Sequence, residues 1–145
     1  MQKSFKNIIF DLDGTLLDTL DDLKDSVNFA LEKNGFPKRE KEEVREFLGN
    51  GIRNLVERSV PENASSVETD AVFSDFKTYY MQHCEDKTKP FEGMTELLEA
   101  LREKGCGMAI VSNKADRAVK ELAKKYFEKY ISVAIGEREG VKRKP

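Results

Sequence analysis

Three short apolar runs set the limits on what this chain can become. They are Ile8-Ile9-Phe10, residues 108–111 and residues 131–135, and each reads as a buried strand. Between the second and third, Ala115, Ala118, Val119, Leu122 and Ala123 recur at helical spacing. Ahead of the second, Met94, Leu97, Leu98 and Leu101 do the same and stop at Gly105. Strand, helix, strand, helix, strand predicts a parallel α/β sheet with right-handed crossovers.

The first strand is separated from that pattern by a long helical stretch. Thr19 is a candidate N-cap, with Asp21 and Asp22 favourably placed in the first turn. Leu20, Leu23, Val27, Ala30 and Leu31 follow at helical spacing, and Asn34-Gly35 closes the helix. Val44, Phe47 and Leu48 lie on one side of a second segment; Ile52, Leu55 and Val56 mark a third. Val72, Phe73, Phe76, Tyr79 and Tyr80 mark a fourth, from Ala64 to about Cys84. Four helices with short loops predict a small antiparallel bundle. The expected division is a core of residues 1–17 and 87–145, with residues 18–86 inserted as a separate lobe.

Charge and hydropathy exclude several classes. With 25 Lys and Arg against 27 Asp and Glu, the net charge is -2, which gives no global attraction to nucleic acid or an anionic membrane. No apolar run approaches the roughly 20 residues of a transmembrane helix. Residues 1–6 lead into no apolar stretch of about 7–15 residues, so no secretory leader is expected. Cys84 and Cys106 form no CxxC pair and read as two reduced thiols of a cytoplasmic protein. His83 reads as a solvated surface residue.

The chemistry is concentrated where the first strand ends, in Asp11-Leu12-Asp13-Gly14-Thr15. Ligands of open α/β sheets bind at the carboxyl ends of strands. Asp11 and Asp13 are two apart and project to one side wherever strand geometry persists. Two adjacent carboxylates repel, which raises one pKa or calls for a cation between them. The pair suits Mg²⁺, a hard ion that keeps waters and substrate phosphate in its shell. It also suits a division between nucleophile and general acid/base. Thr15 could add a hydroxyl or a cap, and Gly14 permits the tight turn. Asp-x-Asp-Gly also fits an ordinary turn. A calcium loop does not fit, because the motif follows a buried strand and position 15 is Thr.

In four places the sequence resembles the haloacid dehalogenase superfamily of phosphotransferases. Phe10-Asp11-Leu12-Asp13-Gly14-Thr15-Leu16 is similar to its first motif, Val111-Ser112-Asn113-Lys114 to its second, and Lys142-Arg143-Lys144-Pro145 to the start of its third. Pro90-Phe91-Glu92-Gly93-Met94 resembles the return from a helical cap into the core. The resemblance implies a Rossmann-like parallel core with an inserted helical-bundle cap, and a Mg²⁺-dependent phosphatase acting on a small phosphomonoester. Asp11 resembles the nucleophile that becomes an aspartyl-phosphate, and Asp13 the acid/base. Both are placed near the metal, Asp13 through its backbone carbonyl. Ser112 would offer its hydroxyl to a phosphoryl oxygen, and Asn113 a backbone N–H at the start of the next helix. Lys144 would neutralise Asp11 against the incoming phosphate, and Thr15 belongs with the substrate contacts. Lys114 reads as a solvated residue or weak phosphate contact.

Within the insert, Gly49-Asn50-Gly51 and Arg53 resemble the loop and helix of phosphoglycolate phosphatases, which makes 2-phosphoglycolate the expected substrate. The two glycines allow backbone N–H groups close to an anion, and Arg53 could pair with a carboxylate. A plain helix–helix turn fits the same residues. A β-phosphoglucomutase-like transferase and a pyrophosphatase are the alternatives within the superfamily. The family's fourth motif, Gly-Asp with a further acidic residue, has no counterpart before Pro145. The core is therefore expected to be incomplete at its C-terminal end, with an open edge on a first strand whose composition suits the middle of a sheet. A second class of function follows: an inactive fragment, or a phosphate-binding or partner-docking module; the missing segment is expected either to be cut away or to be a separate chain. Oligomeric state is not legible.

Overall fold

The computed structural model describes residues 4–142 and 144. Of the third motif, Arg143 and Pro145 lie outside the described residues, as do Met1, Gln2 and Lys3. The element order is β1 (Asn7–Phe10), β2 (Leu17–Asp18), α1 (Leu20–Lys33), α2 (Lys41–Phe47), α3 (Gly51–Ser59), α4 (Ser66–His83), β3 (Lys89–Pro90), α5 (Met94–Glu103), β4 (Gly107–Ala115), α6 (Asp116–Phe127) and β5 (Val133–Glu137). Two units result: Met1–Asp18 with Pro90–Pro145, and Thr19–Lys89. No described helix is long and apolar enough to cross a membrane.

The α/β unit is built on a three-stranded parallel sheet of order β1-β4-β5. Phe10 stands opposite Ile110, and Val111 opposite Ile135. Both crossovers step the same way across the sheet, so right-handedness puts α5 and α6 on one face. There Leu98, Val119, Leu122 and Phe127 join Met108, Ile110, Leu12, Leu16 and Leu17 in one core.

The first strand is not buried as its composition predicts. Ile9 is 70% exposed, in one cross-strand row with Ala109 and Val133. β1 is an edge of this sheet, and period-2 alternation sends Ile9 to the opposite side from Phe10, which packs on the core. Val133 in the same row is also exposed.

β4 is longer than its apolar run predicts. It continues through Ser112, Asn113 and Lys114 to Ala115, and Met108, Ile110, Ser112 and Lys114 are the buried positions. Its register with β5 shifts there: Val111 faces Ile135 and Ala115 faces Glu137. Gly136 sits where the strands close up. A Cβ on it would lie 2.4 Å from the Lys114 carbonyl oxygen and 2.5 Å from the Asp116 Cα.

In the helical unit, α1 contributes Leu20, Leu23, Val27, Ala30 and Leu31 to a core shared with Val44, Leu55, Val56, Val72 and Phe76. Gly35 ends α1 at φ 77°, where the left-handed region favours glycine. α4 begins with a capping box in which Ser65 Oγ accepts from Glu68 N and Glu68 accepts from Ser65 N. Asp21 and Asp22 fall in the first turn of α1 as expected, whereas the Thr19 cap is corrected. Thr19 makes no side-chain cap, because its backbone (φ -103°, ψ 0°) is not the extended conformation a cap uses. Asp22 is buried, and its carboxylate accepts from the N–H groups of Lys87 and Thr88 and from the Thr88 hydroxyl. His83 lies at the surface with its side chain 38% exposed, stacked on Tyr79 at 4.1 Å and bonded to Asp86 at 2.7 Å.

Candidate active site

Parallel pairing of β1 with β4 puts the carboxyl end of β1 beside the second half of β4, which runs on past Ile110. Asp11 follows β1 directly. The chain then turns tightly, with the Leu12 carbonyl accepting from Thr15, Leu16 and Leu17 N–H at 3.3, 3.0 and 3.1 Å. Leu12 and Leu16 are fully buried and hold this turn to the core. Gly14 takes φ 76°, and Thr15 is exposed at the tip.

Each carboxylate meets its own lysine. Lys144 Nζ donates to Asp11 Oδ1 at 2.9 Å and to the Val111 carbonyl at 2.7 Å. Lys114 Nζ donates to Asp13 Oδ1 at 3.1 Å. The Lys114 side chain is 4% exposed, so the solvated reading is corrected. Strand alternation was the available signal: once β4 runs past Val111, Lys114 falls on the same buried side as Ser112. A polar Ser-Asn-Lys sequence conceals that continuation.

The side chains of the other second-motif residues bond backbone groups. Ser112 is buried, and its hydroxyl accepts from Lys114 N at 3.1 Å. Asn113 is not at a helix start, because α6 begins at Asp116. Its carboxamide instead meets Lys144: Asn113 Nδ2 donates to Lys144 O at 3.1 Å, and Lys144 N donates to Asn113 Oδ1 at 3.1 Å. Asp116 accepts from Gly136 N at 2.8 Å. That bond first, then the Lys120 ammonium, hold the Asp116 carboxyl below its ordinary range.

Asp11, Asp13, Ser112, Asn113 and Lys144 are thus brought together in the α/β unit. Gly49, Asn50, Gly51 and Arg53 lie in the helical unit. The three loop residues take φ 123°, 60° and 89° in succession, and Asn54 Nδ2 donates to the Gly49 carbonyl at 3.1 Å. Arg53 bonds Glu57 at 2.8 Å and Asp70 at 2.7 Å and lies over the Phe73 ring. Those two carboxylates, Glu57 first, hold its guanidinium above its ordinary pKa. Arg53 is therefore engaged by its own helices.

A profile of haloacid dehalogenase-like hydrolases matches residues 8–145. The chain belongs to this family. Among haloacid dehalogenase-like relatives, a phosphoglycolate phosphatase of Thiobacillus denitrificans is 31% identical over 136 residues, covering 88% of this chain and 60% of the relative. One from Haemophilus influenzae is 36% identical over 126 residues, covering 82% and 56%. This chain therefore spans 56–60% of the length of those relatives. A crystal structure from Lactobacillus delbrueckii subsp. bulgaricus, provisionally assigned as a phosphoglycolate phosphatase, superposes with TM-score 0.92 at 34% identity. It covers 99% of this chain and 69% of its own.

As a metal site, the haloacid dehalogenase-like arrangement supplies hard oxygen donors at positions 11 and 13. Among the described residues, no three His, Cys, Asp or Glu side chains converge as a closed metal cage. The donor chemistry fits Mg²⁺, which is bound through one or two carboxylates with water and phosphate oxygens completing its shell.

Proposed function

We propose that this chain carries the reacting groups of a Mg²⁺-dependent phosphatase for small phosphomonoesters, with 2-phosphoglycolate as substrate. The observation that carries the reading is the Asp11–Lys144 pair at the end of β1, 2.9 Å apart. An aspartate alone is a weak nucleophile toward a dianionic phosphate because both are negative. An ammonium at bonding distance offsets that repulsion and stabilises charge on the transferring group. Asp11 attacks phosphorus and forms an aspartyl-phosphate, which divides one difficult hydrolysis into two displacements. Asp13 delivers a proton to the leaving oxygen and then takes one from the attacking water. Ser112 Oγ donates to a phosphoryl oxygen. Bound Mg²⁺ supplies further neutralisation of the phosphoryl oxygens, with the carboxylate of Asp11 and the backbone carbonyl of Asp13 as its protein donors.

The helical unit is proposed as a cap, with Thr15 of the core turn and Gly49, Asn50, Gly51 and Arg53 as further substrate contacts. The protein is read as cytoplasmic. One relative favours a wider substrate panel: an N-acetylmuramic acid 6-phosphate phosphatase of Pseudomonas aeruginosa is 31% identical over 112 residues.

The test is phosphate release from 2-phosphoglycolate, N-acetylmuramic acid 6-phosphate, β-glucose 1-phosphate and pyrophosphate, with and without Mg²⁺. Magnesium-dependent release that disappears in Asp11→Asn is expected. Release that persists in Asp11→Asn defeats the mechanism. A different preferred substrate overturns only the assignment to 2-phosphoglycolate. Phosphate binding without turnover assigns the chain to the binding-module class.

A further inference from the structure

We infer that the Asn113 side chain is the positioning residue for Lys144, an inference that rests on the phosphatase reading for its catalytic consequence. Lys144 is 133 positions from Asp11, and residues 138–142 after β5 form no helix or strand. A long, flexible lysine in such a segment does not hold its ammonium in place by itself. Its backbone must first be fixed, because four rotatable side-chain bonds magnify any displacement of the main chain.

Asn113 provides that fixation from β4. Its carboxamide has one donor and one acceptor edge, matched to the N–H and C=O of a single residue. Both edges are used on Lys144, at 3.1 Å each. The result imitates a strand pairing through a side chain. The ammonium is then held a second time by β4, at the Val111 carbonyl, before it reaches Asp11. Backbone and ammonium of Lys144 are thus both tied to a strand that also pairs with β1. Both printed bonds of the Asn113 carboxamide go to the Lys144 backbone, and neither goes to Asp11.

This role separates Asn113 from Ser112. A backbone N–H contribution at position 113, as the motif resemblance implies, is retained by any side chain. A carboxamide clamp is not. Asn113→Ala removes both bonds, and Asn113→Asp keeps the acceptor for Lys144 N–H while setting a carboxylate oxygen against Lys144 O. Both substitutions therefore release Lys144 without replacing Asp11, Asp13 or Ser112.

The experiment measures acetylation of individual lysines by a water-soluble N-hydroxysuccinimide ester, resolved by mass spectrometry, on the wild-type chain and both variants. Lys144 is expected to react about five- to tenfold faster in Asn113→Ala and in Asn113→Asp, with Lys142 and Lys104 unchanged. Under the phosphatase reading, kcat falls about 10- to 100-fold in the same variants, with the thermal midpoint of Asn113→Asp close to wild type. A Lys144 acetylation rate equal to wild type in the folded Asn113→Asp protein overturns the inference. So does an unchanged kcat in an active background. Because acetylation requires no turnover, an inactive wild-type chain defeats the phosphatase reading while Lys144 reactivity still decides the clamp.

Discussion

The Asp22 carboxylate accepts both the backbone N–H of Thr88, at 2.8 Å, and its hydroxyl, at 2.7 Å, across 66 positions of sequence. With Lys87 N at 3.0 Å, one buried carboxylate thereby ties the first turn of α1 to the segment that leads out of the helical unit. An acidic residue in a first turn ordinarily contributes a few tenths of a kcal/mol through the helix dipole. Here the carboxylate also accepts from two backbone N–H groups and a hydroxyl.

Replacing that carboxylate should therefore be expensive. Asp22→Ala is expected to destabilise the chain by about 2–4 kcal/mol, because buried N–H and O–H groups lose their acceptor. Urea unfolding followed by circular dichroism checks this. A loss below about 0.5 kcal/mol, typical of an ordinary surface change, contradicts the clamp.

Gly136 predicts a steric result instead of an electrostatic one. A methyl group there would stand 2.4 Å from Lys114 O, well inside contact distance and against backbone atoms that cannot rotate away. Gly136→Ala should force β4 and β5 apart where Ser112 and Lys114 are positioned, at a cost of about 1–3 kcal/mol. Thermal melting gives the stability, and the crystal structure of the variant shows whether the strands separate. Unchanged melting together with unchanged strand spacing rules the prediction out.

Lys114 offers a direct probe of Asp13. Lys114→Met keeps the length of the buried side chain and removes the ammonium 3.1 Å from Asp13. Turnover is expected to fall about tenfold or more, since Asp13 loses the group that orients it. Steady-state kinetics with the best phosphomonoester checks the size of the loss, and kcat equal to wild type would remove Lys114 from the site.

Asp116 makes the stability depend on pH in a defined direction. Its folded pKa lies below the ordinary 3.8, held down by Gly136 N–H and then by Lys120. The unfolded chain therefore binds the proton first as pH falls. The stabilisation is fully present above 3.8 and is lost as pH falls through the lower folded value. Relative to Asp116→Asn, the wild type should be more stable at neutral pH, with the difference shrinking only below that value. Urea titrations of both proteins across the acid range test it. A difference that shrinks between pH 7 and pH 5, or does not shrink at all in acid, is inconsistent with this origin.

Local pattern made much of the fold legible. The α1 apolar positions, Leu20 to Leu31, announce a helix because a 3.6-residue period needs no information from distant chain. Ile110 and Val111 announce a strand for the same kind of reason. Lys114 was hidden because its neighbours in sequence are polar, and only pairing with β5 carries the strand that far. Ile9 misled in the opposite sense. Side-chain type reports what would be comfortable in a core, whereas exposure depends on which strands and helices lie beside it.

The same distinction holds at the candidate site. Sequence alone determined that Asp11 and Asp13 stand just past one strand and that Ser112 and Asn113 adjoin the apolar run of another, because these are relations between near neighbours. Tertiary structure alone decided which lysine serves which carboxylate: Lys144 for Asp11 and Lys114 for Asp13. It also decided that Asn113 acts through its side chain on Lys144. The physical reason is range. Secondary structure follows from periodicity over a few residues, but an ion pair needs two side chains within about 3 Å, and only the pairing of β1 with β4 brings chain ends so far apart in sequence to that distance.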